Sequence, residues 1–225
     1  HYPLRRQRQM CIRDSYSFYQ TGRYQLDQTR TATAEYRYVA WTGGENSGDS
    51  TNHYITGGLE WRFNPLSILI TKAGLQLRDV DGGESSSAPY IESAINTSIN
   101  SKFNIRGFIR YSLEDYGNFI NGVDYGKQSV FRLGASSEYE LTPRFSVIDG
   151  IDFIQNGYNE GQATGTAVVK NGSSELTANA YLGTRIKIED SLSTDFTVNY
   201  TDSVSDFAKR GYDRWRVSVG INYTF

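Results

Sequence analysis

The chain has 225 residues, a formal net charge of −2 and a composition rich in Tyr, Thr, Ser, Asn and Gly. This length allows one large β domain, and these residue types favour strands and turns over helices. No apolar run approaches the roughly 18 residues of a membrane helix, so a helical membrane protein is excluded. A membrane β-barrel is not excluded, because alternation along its strands lowers its mean hydropathy to that of a soluble protein.

Residues 1–15, HYPLRRQRQMCIRDS, differ from the rest of the chain. They hold four arginines and the only cysteine and methionine, and they lack the apolar core of a signal peptide. The segment from Met10 to Ser15 resembles the translation of a transposon end used in DNA-library preparation. We therefore interpret 1–15 as a non-native read-through scar and 16–225 as the domain. A nucleic-acid-binding arm and the start of a signal peptide are the functional alternatives.

Removing residues 1–15 changes the charge and the available chemistry. The basic count falls from 23 to 19 and the acidic count from 25 to 24, so the net charge moves from −2 to −5. The remaining chain contains no cysteine, which excludes disulfides, thiol catalysis and thiolate metal sites from it.

Period-two alternation of apolar and polar residues predicts eleven strands. They cover 16–24, 31–41, 55–63, 69–78, 91–99, 105–114, 131–139, 145–156, 175–187, 194–200 and 213–225. In the eighth, Asp149 shares a face with Phe145, Val147, Ile151 and Phe153. A β-bulge near Gly150, or a position for Asp149 at a barrel rim, would reconcile this.

The connections alternate in length. Short turns are predicted near 65, 102, 143 and 190, and longer polar connections near 46, 85, 122, 165 and 207, with loops over 117–128 and 158–174. This alternation is typical of a barrel that crosses an outer membrane, with turns on the periplasmic side and loops outside. The hairpin spacing of about 40 residues also suits a propeller, but no blade signature repeats.

The last strand, DRWRVSVGINYTF, has one apolar face and one polar face. Its thirteen residues exceed the roughly nine to eleven that cross a bilayer at a 45° tilt, although the last strand of a soluble sandwich is the alternative. Its ending resembles the carboxyl-terminal signal of outer-membrane β-barrels. The resemblance rests on Ser218, Gly220, Tyr223 and Phe225, and it implies recognition by the barrel-assembly machinery.

The sequence thus predicts an all-β fold, an antiparallel up-and-down transmembrane β-barrel. Lipid offers no hydrogen bonds to the backbone, so the sheet must close, and bacterial barrels have even strand numbers. With eleven strands visible, we expect twelve or more in the native protein and at least one missing before Tyr16. Outward aromatic residues would form interfacial girdles. These are Trp61, Trp215, Tyr111, Tyr139, Tyr200, Tyr223 and Phe225.

The inward polar faces would line a lumen. The candidate lumen-lining residues are Arg37, Glu35, Arg62, Glu60, Lys72, Arg78, Arg106, Arg110, Glu114, Arg132, Glu138, Arg185, Arg214 and Arg216. Two interpretations of these charges remain open. They pair across neighbouring strands and solvate the wall, or they select among solutes.

The hairpin turns of the type L-T-P-R-F, followed by strands of the x-Tyr-x-Tyr or x-Ile-x-Phe kind, resemble a beta-barrel porin family of Gram-negative outer membranes. The resemblance spans roughly Thr31 to Phe225. It implies a passive pore for hydrophilic solutes or a role in exopolysaccharide export, with outer-membrane lipid as the surroundings. A structural or adhesive barrel with ligand-binding external loops and no open pore is the alternative.

Enzyme chemistry finds little support in the sequence. His53 is the one histidine outside the scar, and His53-Tyr54-Ile55 lacks the serine that a His-x-Ser hydrolase pair would need. Asp79 to Glu84 departs from EF-hand spacing, and the glycine-rich segments lack the strand-to-helix context of a phosphate loop. We expect no enzymatic activity, no cofactor, no metal and no nucleic-acid partner, and interpret His53 as a solvated rim residue.

Overall fold

The computed structural model describes residues 14–42, 49–81, 85–114, 119–163 and 166–223. The described chain is built from strands and turns. The strands are β1 (Asp14–Gln25), β2 (Arg30–Thr42), β3 (Ser50–Asn64), β4 (Ser67–Val80), β5 (Ser86–Asn100), β6 (Phe103–Leu113), β7 (Phe119–Ile120), β8 (Val123–Thr142), β9 (Phe145–Ala163), β10 (Ser173–Glu189), β11 (Leu192–Ser205) and β12 (Tyr212–Tyr223). No helix long and apolar enough to span a membrane occurs in this part of the chain.

Eleven long strands form one antiparallel sheet. They lie in chain order, β1-β2-β3-β4-β5-β6-β8-β9-β10-β11-β12, and the two-residue β7 pairs with β8. The predicted all-β, antiparallel up-and-down fold with eleven strands is therefore confirmed. Closure is not seen: among the described residues, β1 and β12 are the two edges of an open sheet. Twelve or more strands in the native protein stays a prediction.

Short turns join the strands at one end of the sheet, which we call the turn end. In three of these turns a side-chain oxygen accepts a hydrogen bond from the backbone N–H two residues later. Asn64 accepts from Leu66 (2.9 Å), Asn100 from Lys102 (2.8 Å) and Thr142 from Arg144 (3.4 Å). These are the Asx and Ser/Thr turns that polar residues at strand ends favour. The predicted short turns are thus found. We call the opposite end of the strands, where the chain continues into the longer connections, the loop end.

Two predicted loops contain more strand than expected. β7 and the start of β8 occupy much of 117–128, and β9 continues to Ala163, seven residues beyond the predicted end at 156. The β7–β8 turn is made by Asn121 and Gly122, both with positive φ, of 51° and 81°. Two successive positive φ values give the type I′ turn that joins hairpin strands without splaying them.

The predicted bulge near Gly150 is wrong. Strand β9 pairs without a register shift from Ser146 to Asn156 on the β8 side and from Phe145 to Tyr158 on the β10 side. Asp149 therefore keeps its place among apolar neighbours, where it is exposed and accepts a hydrogen bond from Ser137 Oγ at 2.6 Å.

The two faces of the sheet differ in chemistry. We call the face that carries Glu35 and Arg37 the inner face, and the opposite one the outer face. Large apolar side chains of the outer face are exposed, with Leu182 at 61% and Val219 at 71% of their full accessibility. Buried apolar side chains gather instead at the loop end, in a group we call the cap cluster: Ile120, Val123, Tyr125, Tyr158 and Phe207.

Candidate functional site

The structure places every predicted lumen residue on the inner face. Directly opposed residues in the sheet share a face, and the register links the strands, as in the row Lys72, Glu92, Arg110 and Arg132 across β4, β5, β6 and β8. The fourteen residues are Glu35, Arg37, Glu60, Arg62, Lys72, Arg78, Arg106, Arg110, Glu114, Arg132, Glu138, Arg185, Arg214 and Arg216. That they line an aqueous lumen stays a prediction.

The residues predicted as an assembly signal are divided between the faces of β12. Ser218 opposes Thr197 and Gly220 opposes Asp195, which puts both on the inner face. Tyr223 belongs to the outer face with Trp215 and Val219, and 63% of it is exposed. Phe225 lies outside the described residues, so its part in the signal stays a prediction.

A cavity of 510 Å³ lies on the inner face near the turn end. Its walls come from seven strands, from Arg62 of β3 through Arg106 of β6 to Arg185 of β10. Neighbouring strands are about 4.8 Å apart, so side chains of β3 and β10 could not border one cavity on a flat sheet. The sheet is therefore strongly curved, with the charged face on its concave side. We call this space the turn-end cavity.

Several inner-face charges are paired across an intervening strand. Lys72 Nζ of β4 lies 2.6 Å from Glu35 Oε2 of β2, and Arg185 of β10 contacts Glu138 of β8 at 2.9 Å. Arg185 also donates to Asp195 on β11, with Nε 2.8 Å from Oδ1. Such partly exposed pairs contribute little to stability, and they are what the wall-solvating interpretation requires.

Other inner-face cations have no carboxylate partner. In the described residues, Arg62, Arg106 and Arg216 make no ion pair, and Arg37 stacks on an aromatic ring instead, with Cζ 4.2 Å from the centre of Tyr54. Charges that are not neutralised by the wall remain available to a solute. Pairing across strands therefore accounts for part of the inner face, and selection among solutes by the remaining cations stays a prediction.

The loop end of β6 is held by a buried glutamine on the inner face. Gln76 of β4 is fully buried; its Oε1 accepts from the Leu113 amide at 2.8 Å, and its Nε2 lies 3.0 Å from the Leu113 carbonyl oxygen. This two-point contact holds the chain so that Glu114 meets both Arg110 (2.7 Å) and Arg132 (2.6 Å). The sequence suggested each charge but not this bridge.

A second cavity, of 290 Å³, adjoins these residues, and we call it the loop-end cavity. Its ionisable lining consists of Arg37, Arg110, Arg132 and Glu114, with the phenols of Tyr54 and Tyr90. Tyr54 and Tyr90 pack edge to face, with ring centres 5.3 Å apart. Sequence reasoning missed both tyrosines, although their even spacing from Arg62 and Glu92 places them on the inner face.

The cap cluster closes part of the loop end. The rings of Tyr125, Tyr158 and Phe207 pack edge to face with centres 5.3–5.6 Å apart, and they belong to β8, β9 and the β11–β12 connection. Beneath them, Glu175 accepts from Tyr158 Oη at 2.6 Å and from Arg210 Nε at 2.6 Å. The carboxylate thereby ties the 206–211 connection to the inner face of β10.

His53 lies on the outer face near the loop end, among aromatic side chains. Its Nδ1 is 2.9 Å from Tyr36 Oη, and its ring centre is 5.0 Å from that of Tyr38. No cluster of three or more possible metal-ligating side chains occurs within the described ranges.

Aromatic side chains on the outer face concentrate at two levels. Near the turn end, Trp61 packs against Phe63, and Phe103 against Tyr139. Near the loop end, Tyr200 packs against Trp215 at 4.8 Å between ring centres, and Tyr16 packs against Tyr38. The space between these levels is filled mainly by aliphatic outer-face residues such as Ile55, Leu75, Ile151 and Leu182.

No protein family model matches the chain, and no curated protein matches it. Among solved structures, it is similar to the transport unit of the autotransporter AIDA-I from Escherichia coli, with 12% identity, a TM-score of 0.41, and coverage of 95% of this chain and 84% of that one. The translocator domain of the autotransporter NalP from Neisseria meningitidis gives 13% identity, a TM-score of 0.38, and coverage of 95% and 81%. The KdgM porin gives 11% identity and a TM-score of 0.33, with coverage of 94% of this chain and 99% of that one. At these low identities and TM-scores, no residue role is carried over from these proteins.

Proposed function

We propose that the chain forms the wall of a β-barrel in the outer membrane of a Gram-negative bacterium. The carrying observation is the exposure of large apolar side chains on the outer face of strands inside the sheet, such as Leu75 of β4 (55%) and Leu182 of β10 (61%). An apolar surface that large is costly in water and favourable in hydrocarbon. The long strands have 11 to 20 residues, enough for the roughly nine to eleven that span a bilayer.

The two levels of outer aromatic residues support the same proposal. Tyr and Trp prefer the boundary between hydrocarbon and water, because each has an apolar body and a polar edge. An aliphatic band between two aromatic levels is the outer surface of a membrane barrel. Open edges at β1 and β12 would be unfavourable in lipid, so the proposal requires these edges to be paired in the membrane.

We further propose that the barrel is a passive channel for hydrophilic solutes. The inner face carries charges of both signs and borders two cavities, of 510 and 290 Å³. Cations without carboxylate partners, such as Arg62 and Arg106, would be costly in an apolar interior and favourable beside water. Porin-like passage of small solutes and export of an exopolysaccharide both fit this surface.

A structural or adhesive barrel is the second candidate, and the cap cluster favours it. Tyr125, Tyr158 and Phe207 gather three loop-end segments over one side of the mouth. A cap that covered the whole opening would leave the loops as a binding surface over a closed barrel. None of the residues that line the loop-end cavity between β2, β3, β5, β6 and β8 belongs to this cluster, which supports an opening on that side.

Planar-bilayer recording of the purified protein separates these candidates. An open channel gives stable unitary current steps whose amplitude rises with salt concentration. A closed barrel gives no current steps, although it would still insert into the bilayer.

Replacing Phe207 by Ala should raise the conductance if the cap cluster narrows the mouth of the barrel. Phe63→Ala, on the outer face, should leave the conductance unchanged.

Recognition by the barrel-assembly machinery belongs to the same proposal. The alternating face of β12 that ends in Tyr223 is what supports it, since this strand is an edge of the sheet and is exposed along nearly its whole length. Tyr223→Asn should slow assembly in cells and leave refolding into detergent micelles intact. If Tyr223→Asn reduced assembly in cells and refolding in micelles equally, Tyr223 would contribute to packing and not to recognition.

A further inference from the structure

The loop-end cavity holds an excess of positive charge. Three guanidinium groups, those of Arg37, Arg110 and Arg132, line it, against the single carboxylate of Glu114. Arg110 and Arg132 are directly opposed on β6 and β8, and like charges in that position repel. Glu114 bridges the two, which leaves two positive charges in excess in a space of 290 Å³.

The same three arginines have unused hydrogen-bond donors. The Nε atoms of Arg37, Arg110 and Arg132 are buried and have no hydrogen-bond partner in the described part of the chain. A buried N–H without an acceptor is unfavourable by about 1–3 kcal/mol, so such donors are normally satisfied by water, an ion or a ligand. All three belong to side chains that line one cavity, so a shift of these side chains towards an acceptor oxygen in the cavity would satisfy them.

Arg37 is positioned without using a carboxylate. Its guanidinium stacks on Tyr54 at 4.2 Å and lies 5.4 Å from the ring centre of Tyr90. The ring contact holds the guanidinium in place, and its donors that do not face the Tyr90 hydroxyl are left for contacts with carboxylate or phosphate. Tyr90 is itself held by Glu92, to which its hydroxyl donates, so the aromatic support is fixed as well.

We propose that the loop-end cavity is a binding site for small oxyanions, with Arg37, Arg110 and Arg132 as the binding residues. The ligand class is a solute with several carboxylate or phosphate oxygens, small enough for 290 Å³. The inference deepens the proposed channel function, since a site on the inner face would favour anionic solutes on their way through. Guanidinium groups in a partly desolvated cavity bind oxyanions more strongly than they would in water.

The test is equilibrium binding to the folded protein in detergent, measured by isothermal titration calorimetry. The probes are citrate, inorganic phosphate and the uncharged solute glucose. Binding of both anions assigns a general oxyanion site, and binding of citrate alone or phosphate alone narrows it to that chemistry. Affinity should fall several-fold when salt rises from about 0.05 to 0.3 M, since screening weakens partly exposed charges. Failure of both anions to bind overturns the proposal.

Two variants locate the site. Arg37→Gln removes a binding cation without leaving a carboxylate unpaired, and it should weaken anion binding about tenfold, as for one lost charge-assisted contact. Arg106→Gln, in the turn-end cavity, makes the same charge change elsewhere and should leave the affinity within twofold. Equal loss in both variants would contradict a local site. Binding is measured independently of conductance. A protein that binds citrate but gives no current steps would therefore support the binding site and contradict the channel function.

Discussion

Asp149 is the residue most at odds with a lipid-facing wall. It lies four residues after the start of β9, which at about 3.4 Å per residue and a tilt near 40° puts it roughly 10 Å from the turn end of this strand. The hydrogen bond from Ser137 Oγ satisfies one of its carboxylate oxygens. A carboxyl group at this depth is unfavourable in lipid and neutral or favourable in water.

Asp149→Leu should therefore stabilise the protein in a bilayer. We expect the free energy of unfolding from lipid vesicles to rise by about 1–2 kcal/mol, as for removal of an acidic side chain from the apolar band. The measurement is a reversible denaturant titration in vesicles. Asp190→Leu, in the exposed turn between β10 and β11, should bring no gain. Destabilisation by Asp149→Leu would place this face in water.

Gly74 marks a close approach of β4 to β3. A Cβ at this position would lie 1.9 Å from the carbonyl oxygen of Ile55 and 2.7 Å from Cα of Thr56. Gly74→Ala should lower the free energy of unfolding by about 1–3 kcal/mol, because the backbone must move. Gly57→Ala on the neighbouring strand meets nothing closer than 4.0 Å and serves as the control. Equal effects from the two would refute this close approach.

At the scale of elements, the connection between β11 and β12 is held by charge. Arg210 donates to both oxygens of Glu175, at 2.6 and 3.2 Å, and Glu175 is buried while Arg210 is partly exposed. Glu175→Gln removes the ion pair and keeps the shape. We expect trypsin to cut faster after Lys209 or Arg210. Glu60→Gln, which removes the pair with Arg23 instead, should not change that rate.

Acid should loosen the same connection through Asp206. Asp206 Oδ2 accepts from the Ser174 amide at 2.7 Å and from its hydroxyl at 3.0 Å, and these bonds, the amide first, hold the pKa of Asp206 below its ordinary value of 3.8. The folded state therefore binds this proton less readily than the unfolded state. Its stabilisation is present above pH 3.8 and is lost as the pH falls through the folded pKa.

The readout is exchange of the Ser174 amide with deuterium, compared at each pH between the native protein and Asp206→Asn. The amide should be better protected in the native protein at neutral pH. The difference should disappear in acid, once Asp206 is protonated. A difference that persists unchanged in acid would show that the carboxylate charge has no part in holding this amide.

The sequence predicted the strands well and the loop end poorly, for physical reasons. Alternation such as Trp215, Val217 and Val219 against Arg214 and Arg216 reports directly which face a side chain takes, so eleven strands and the inner charges followed from it. Asn121-Gly122 is a strong hairpin signal within the predicted 117–128 loop, and it accounts for β7 and for the early start of β8. The cap cluster joins residues up to 87 positions apart, from Ile120 to Phe207, and no local pattern reports such contacts.

At the scale of the whole molecule, the two faces of the sheet have opposite solvent requirements. The outer face is apolar, and mainly aliphatic between the two levels where aromatic residues concentrate, whereas the concave inner face is charged around two cavities. A soluble β-sandwich would bury the apolar face against a second sheet and expose the charged one. Here the apolar face has no protein layer over it in the described structure, and the charges lie on the concave side of the sheet.

The most direct test compares neighbouring residues of β11, Val198 on the outer face and Asn199 on the inner face. Each is replaced in turn by a single cysteine, in protein whose Cys11 has been changed to Ser, and labelled with a polarity-sensitive fluorophore in lipid vesicles. The account predicts that spin-labelled lipid quenches the label at 198 and that aqueous iodide quenches the label at 199. Quenching of 199 by lipid, with 198 accessible only to iodide or to neither quencher, would contradict it.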